Sequence, residues 1–129
     1  MAKAINWPQE LYDEVINEDM DTPRVALRLG TLYYDNGYYV NDETVDIRVN
    51  HKIVHKGRII DEMSIAKIGE LSDDTLSKYK STLRDKSKVI NFLASNYKQP
   101  VDEQTVVTIV TYKNIPFEND EEMDDPHVD

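Results

Sequence analysis

Six consecutive β-branched residues, Val106, Val107, Thr108, Ile109, Val110 and Thr111, constrain this chain more than any other feature. Branching at Cβ restricts χ1 against a helical turn and suits a pleated surface, so residues 105–112 read as a strand. Successive strand side chains point to opposite faces, and here both faces are apolar. Such a strand is covered on both sides, which predicts a central place in a sheet with further elements packed over it.

The remaining elements follow from periodicity. Residues 24–29 alternate, with Val25, Leu27 and Leu29 on one face and Arg24 and Arg28 on the other, and Gly30 ends the strand. Residues 44–49 alternate in the same way. A further extended stretch is expected after Gly57, bent near Asp61 and Glu62, and residues 51–56 read as a turn plus a strand edge. Trp7, Leu11 and Val15, with Tyr12 and Ile16, recur at helical steps, Pro8 suits a first turn and Glu10 favours the positive end of the helix dipole. Ser72 is a helix N-cap followed by Asp73 and Asp74, and Leu76, Tyr79 and Leu83 give that helix an apolar stripe. A second helix runs from about residue 85 to 97, and Gln99-Pro100 breaks the chain. The order predicts a small α+β fold, a curled sheet or β-barrel with an N-terminal helix and a helix pair.

Charge divides the chain into two parts. Of its 25 acidic residues, seven fall in residues 118–129, which hold no Lys or Arg; the other 18 stand against 15 bases, so a formal charge of −10 becomes −3 for residues 1–117. A segment so acidic buries too little apolar area to offset its ordering entropy, and residues 118–129 are expected to be a disordered tail behind a single domain, 1–117. The tail reads either as a solubilising extension or as a segment that binds a partner. Cysteine is absent, which excludes disulfides, thiolate zinc sites and a cysteine nucleophile. No apolar run approaches the roughly 18 residues of a membrane span, and a cytoplasmic location is the expectation.

Chemical motifs are sparse. Gly30, Gly37, Gly57 and Gly69 are isolated, so no phosphate-binding loop is formed. His51 and His55 are four apart in an extended or turn-like stretch with no acidic ligand between them, and neither a metal, a cofactor nor a catalytic residue is assigned. Two features remain. Residues 48–58 hold Arg48, Lys52, Lys56 and Arg58 and no acid; in extended geometry the four share a face if the register holds, and such a stripe follows phosphates, or else protects a strand edge against pairing. Tyr33, Tyr34, Tyr38 and Tyr39 flank Asn36-Gly37, a tight-turn signal, and their rings either stack on bases or pack half-buried.

The order of elements resembles the PUA-like superfamily and, within it, the ASCH domains. The residues concerned are a helix of the type Pro8-Gln9-Glu10-Leu11-Tyr12-Asp13-Glu14-Val15-Ile16, a short strand Val25-Ala26-Leu27-Arg28 ending in arginine, and a turn-led strand opened by Asn41-Asp42 where the family has Gly-Asp. Ile65-Ala66-Lys67-Ile68-Gly69-Glu70-Leu71 resembles the strand leading into the ASCH helices, and residues 106–112 the closing strand. The resemblance implies a small barrel with a cleft between barrel and helices, and recognition of RNA or modified nucleotides. Some ASCH members are amidohydrolases acting on acetylated cytidine through a lysine and a threonine before the strand-ending arginine and a later glutamate. Here no lysine occurs between Lys3 and Lys52, so only Arg28 carries over, either as a clamp for phosphate or carboxylate or as half of a structural ion pair.

Three functions are therefore expected to compete: an RNA- or nucleotide-binding module using Arg28, the stripe and the tyrosines; a protein-interaction or regulatory domain; and a small hydrolase. The last requires a proton acceptor near Arg28, such as Glu62 or Glu70.

Overall fold

A computed structural model describes residues 3–117, so the tail expected over 118–129 lies outside the described residues. The strands are β1 (Ala4–Trp7), β2 (Arg24–Leu29), β3 (Thr44–Val49), β4 (Lys52–Ile59), β5 (Ser64–Lys67) and β6 (Val106–Ile115). They form one six-stranded curled sheet in the order β1-β3-β4-β6-β2, with β5 also on β6, and every pairing except the parallel β1–β3 is antiparallel. The β-branched run is central as its composition requires. β2 takes one edge of β6 from Val107 to Tyr112, while β5 and then β4 share the other.

Register assigns the faces. Ile5, Trp7, Val45, Ile47, Ile59, Val110 and Tyr112 fall on one face and are buried. Val25, Leu27 and Val107, on the opposite face, are buried too. The Val25 N–H donates to the Lys78 carbonyl at 3.0 Å, and Leu71, Leu76, Val89 and Leu93 of the helical region join the same core. The helices are α1 (Tyr12–Ile16), α2 (Leu32–Asp35), α3 (Asp73–Ser77) and α4 (Lys86–Tyr97).

Several local expectations are revised. The N-terminal helix is a 3-10 turn, Gln9–Leu11, followed by five-residue α1, and Trp7 lies in β1. The ladder explains this: Asn50 N–H donates to the Trp7 carbonyl at 2.9 Å, and Pro8 (φ −72°, ψ 159°) stays extended. Ser72 does cap α3, accepting from Thr75 N–H at 3.1 Å, but the helix stops at Ser77. Pairing of Lys78 with β2 turns Tyr79 and Lys80 into the core. The tight turn expected at Asn36-Gly37 is the one that closes α2. Gly37, at φ +57°, donates to the Tyr34 carbonyl and Tyr38 N–H to that of Tyr33, the paired bonds of a Schellman cap.

β4 also runs straight through Gly57 instead of starting after it. A Cβ there would lie 2.8 Å from Ile47 Cδ1 and 3.3 Å from Val45 Cγ2, both in the packed core, so the absent side chain is what lets β3 and β4 close. Gly57→Ala is accordingly expected to destabilise the domain by roughly 1–3 kcal/mol through overpacking. Urea denaturation measures this; an unchanged midpoint would mean that Ile47 moves aside at no cost.

Candidate functional site

β1 and β2 are the two ends of the sheet path, and Arg28 spans the seam between them. Arg28 lies on the same face of the sheet as Trp7. Its guanidinium Nη1 donates to the Leu27 carbonyl and Nη2 to the Asn6 carbonyl of β1, each at 3.0 Å, and it lies 5.2 Å from the Trp7 ring centroid. These bonds use two of its five N–H donors. Among the described residues no carboxylate pairs with it, so the structural ion pair considered for Arg28 is not formed.

Tyrosines surround this charge. Tyr39 Oη donates to the Ala4 carbonyl at 2.6 Å, and Tyr97 Oη, from the end of α4, accepts from Leu29 N–H at 3.3 Å. Burial pushes the Tyr39 hydroxyl up to about 12, while the Arg28 charge pulls it the other way. Burial likewise raises Tyr79 and Tyr112, again against Arg28. Tyr33, Tyr38 and Tyr39 form a ring cluster with centroids 4.8–5.5 Å apart, and Lys3 Nζ lies 4.7 Å over Tyr38. Of the four loop tyrosines, Tyr39 is buried and Tyr33 half-buried, whereas Tyr34 and Tyr38 are exposed. The aromatic stretch thus divides into packing and presentation: two rings anchor the loop and two face outward. Tyr34 and Tyr39 also line a cavity of about 290 Å³ with Val40, Asn41, Glu62 and Met63.

The cationic stripe is only partly assembled. Opposite residues share a face, and the pairs Thr44↔Arg58, Asp46↔Lys56 and Arg48↔Ile53 put Arg48, Lys56 and Arg58 together. A register shift between Ile47 and Arg48 sets Lys52 opposite Val49, on the other face. Between Arg48 and Lys56 stands buried Asp46, bonded to Lys56 Nζ at 2.7 Å and Arg48 Nη2 at 3.1 Å. The acid missing from residues 48–58 thus stands just ahead of Arg48 on β3, directly opposite Lys56 of β4. Burial works to raise the Asp46 carboxyl, but hydrogen bonds from Lys56 and Arg48 and their charges prevail and hold it below its ordinary value. A depressed carboxylate stabilises the fold above its unfolded pKa, about 3.9, and that contribution is lost as pH falls through the folded value. Between about pH 5 and pH 2 the wild type should therefore lose stability more steeply than Asp46→Asn; parallel curves by chemical denaturation would remove Asp46 from the account.

The remaining candidates separate. His55 is buried with Nε2 donating to the Val15 carbonyl at 2.8 Å, and His51 is exposed in the β3–β4 turn at φ +68°. Glu62 lines the cavity beyond Tyr39, Glu70 is exposed in a 3-10 turn, and neither pairs with Arg28. Sequence reasoning missed Asn6, Trp7 and Tyr97 at the seam. Trp7 reads as part of a helical face and Tyr97 only as the end of a helix, and nothing local tells that β1 and β2 meet.

No family model matches this sequence, and no curated protein matches it. In structure, the chain is similar to the solved ASCH domain from Lactobacillus crispatus JV V101, with TM-score 0.53 and 13% sequence identity over 70% of this chain. The match spans 63% of that domain's own chain, a little under two thirds. At that identity the likeness establishes the fold alone: a curled sheet with helices, arranged as in that ASCH domain. No helix among the described residues is long and apolar enough to cross a membrane.

Proposed function

We propose that this ASCH-type fold serves as a binding module for RNA or a nucleotide, with the β1–β2 seam as its recognition site. One observation carries the reading: Arg28 keeps donors available, has no carboxylate partner among the described residues, and is held in place by two carbonyls and an indole ring. A guanidinium so fixed loses little freedom when it takes up a phosphate or carboxylate oxygen. Tyr38 and Tyr97, both about one-third exposed, offer rings for a base beside it. Arg48 and Lys56, shared with Asp46, contribute less to phosphate tracking than their number suggests, and together with Arg58 they lie on the opposite face of the sheet from Arg28. The test is a fluorescence-anisotropy screen of the full chain against single-stranded RNA, duplex RNA and DNA at about 50 mM salt, where electrostatic binding is strong. Saturable binding of a single strand is expected, and none to any of the three would exclude the RNA-binding form of the proposal.

A protein partner is the second reading, favoured by a different observation. Leu32 (70% exposed) and Val40 (55%) flank the tyrosine loop and extend its exposed apolar surface beside the 290 Å³ cavity. Leu32→Ser leaves the first reading untouched and would weaken the second.

A further inference from the structure

A second set of cations lies on the opposite face of the sheet from Arg28, near the other end of β6. Arg58 of β4 and Lys113 of β6 are directly paired across the strands, with Thr44 of β3 opposite Arg58 on its other side. Like charges set opposite one another repel, and a fold gains nothing from the arrangement unless something anionic lies between them. Arg58 is exposed and forms no ion pair among the described residues. Lys113 is held 3.3 Å from Asp21, whose side chain is 72% exposed, a contact of the kind that contributes little. With Lys56, already bound to Asp46, these residues line a pocket of about 300 Å³ that also includes Asp21 and Thr44.

We propose that this pocket binds the phosphoryl oxygens of a small anion of the diphosphate class. Arg58 presents a planar fork of donors, Lys113 a point charge and Thr44 a hydroxyl, and together they suit tetrahedral oxyanions rather than an apolar or cationic ligand. Asp21 is the built-in competitor: an entering phosphoryl group takes Lys113 from it. The site is distinct from the seam. Arg28 sits opposite Thr108, five residues and roughly 17 Å along β6 from Lys113, and alternation turns the two to opposite faces. The inference therefore stands or falls independently of the RNA reading.

The experiment is a pyrophosphate titration of the ¹⁵N-labelled full chain, followed through the signals of Thr44, Arg58 and Lys113. Saturable shifts at these residues are expected. Arg58→Gln should weaken binding about tenfold or more, the loss of a charge-assisted hydrogen bond. Asp21→Asn should tighten it several-fold by removing the competing carboxylate; Asn tolerates the left-handed backbone that Asp21 adopts at φ +63°, so the gain is not a folding effect. Lys88→Gln, which removes an exposed cation of α4, should leave pyrophosphate binding at Arg58 and Lys113 unchanged. Absence of saturable shifts in both the wild type and Asp21→Asn, or equal binding by Arg58→Gln, would overturn the assignment.

Discussion

Glu18→Ala is expected to cost the fold roughly 3–5 kcal/mol, a large share of the 5–15 kcal/mol typical of a domain. Glu18 Oε2 accepts from Lys80 Nζ at 2.8 Å and lies 3.4 Å from Arg24 Nη1. The Lys80 side chain is 1% exposed and that of Glu18 5%. Lys80 Nζ also sits 4.0 Å from the Trp7 ring centroid. Burial pulls the Lys80 ammonium below its ordinary value even though Glu18 works to hold it charged, which marks how far it depends on that carboxylate. Removing Glu18 leaves two cations with little access to water, and the desolvation penalty of each is then uncompensated. Lys80→Met should cost much less, because Glu18 keeps Arg24 and a similar apolar volume still covers Trp7. Thermal and urea denaturation of both variants, with exposed Glu10→Ala as a control near zero, decides the ranking. A Glu18→Ala protein as stable as Lys80→Met would contradict the buried-pair account.

Arg28→Gln is expected to reduce affinity for single-stranded RNA about tenfold or more while leaving the fold assembled. Gln can still donate to one carbonyl across the seam, but it loses the charge and the planar fork that would meet a phosphate. Tyr38→Ala should give a comparable loss, since stacking of one base contributes roughly 1–3 kcal/mol. The two variants differ in one respect: the Arg28 effect should shrink as salt rises, and the Tyr38 effect should persist. Equal affinity of Arg28→Gln and wild type, with both folded by circular dichroism, would move the site away from the seam.

What was legible in the sequence was what is local. The central strand, β2 and β3 follow from alternation and β-branching, and a helix from about residue 85 to 97 matches α4, which Asp85 caps by accepting from Ser87 N–H at 2.8 Å. Ser72 announced α3 but not its length, because its end is set by Lys78 pairing with β2, 53 positions away by Val25. Asn36-Gly37 reads as a tight turn, and a glycine at positive φ serves turns and helix ends alike, so only the bonds to Tyr33 and Tyr34 show that it closes α2. The stripe failed through register: one irregularity beside Arg48 sends Lys52 to the other face, and Asp46 enters from β3. Arg28 was singled out through family resemblance and its surroundings were not, since Asn6 and Trp7 reach it only through the sheet's curvature. Lys113 was hidden for the same reason. Its meaning comes from Arg58 across the ladder, and a single strand read alone carries no record of its neighbour.

The most direct test of the account is the salt dependence of single-stranded RNA binding by the full chain and by a chain ending at residue 117. Each neutralised phosphate adds a slope of about −0.7 in log K against log salt. The seam presents one unpaired guanidinium, with Lys3 beside it already bonded to Glu43 at 3.0 Å. A shallow slope, about −1 to −2, is therefore predicted. Because residues 118–129 carry seven acids and no Lys or Arg, removing them should raise affinity, most at low salt. Failure of both proteins to bind at about 50 mM salt would contradict the nucleic-acid reading and leave the protein-partner surface around Leu32 and Val40 in its place.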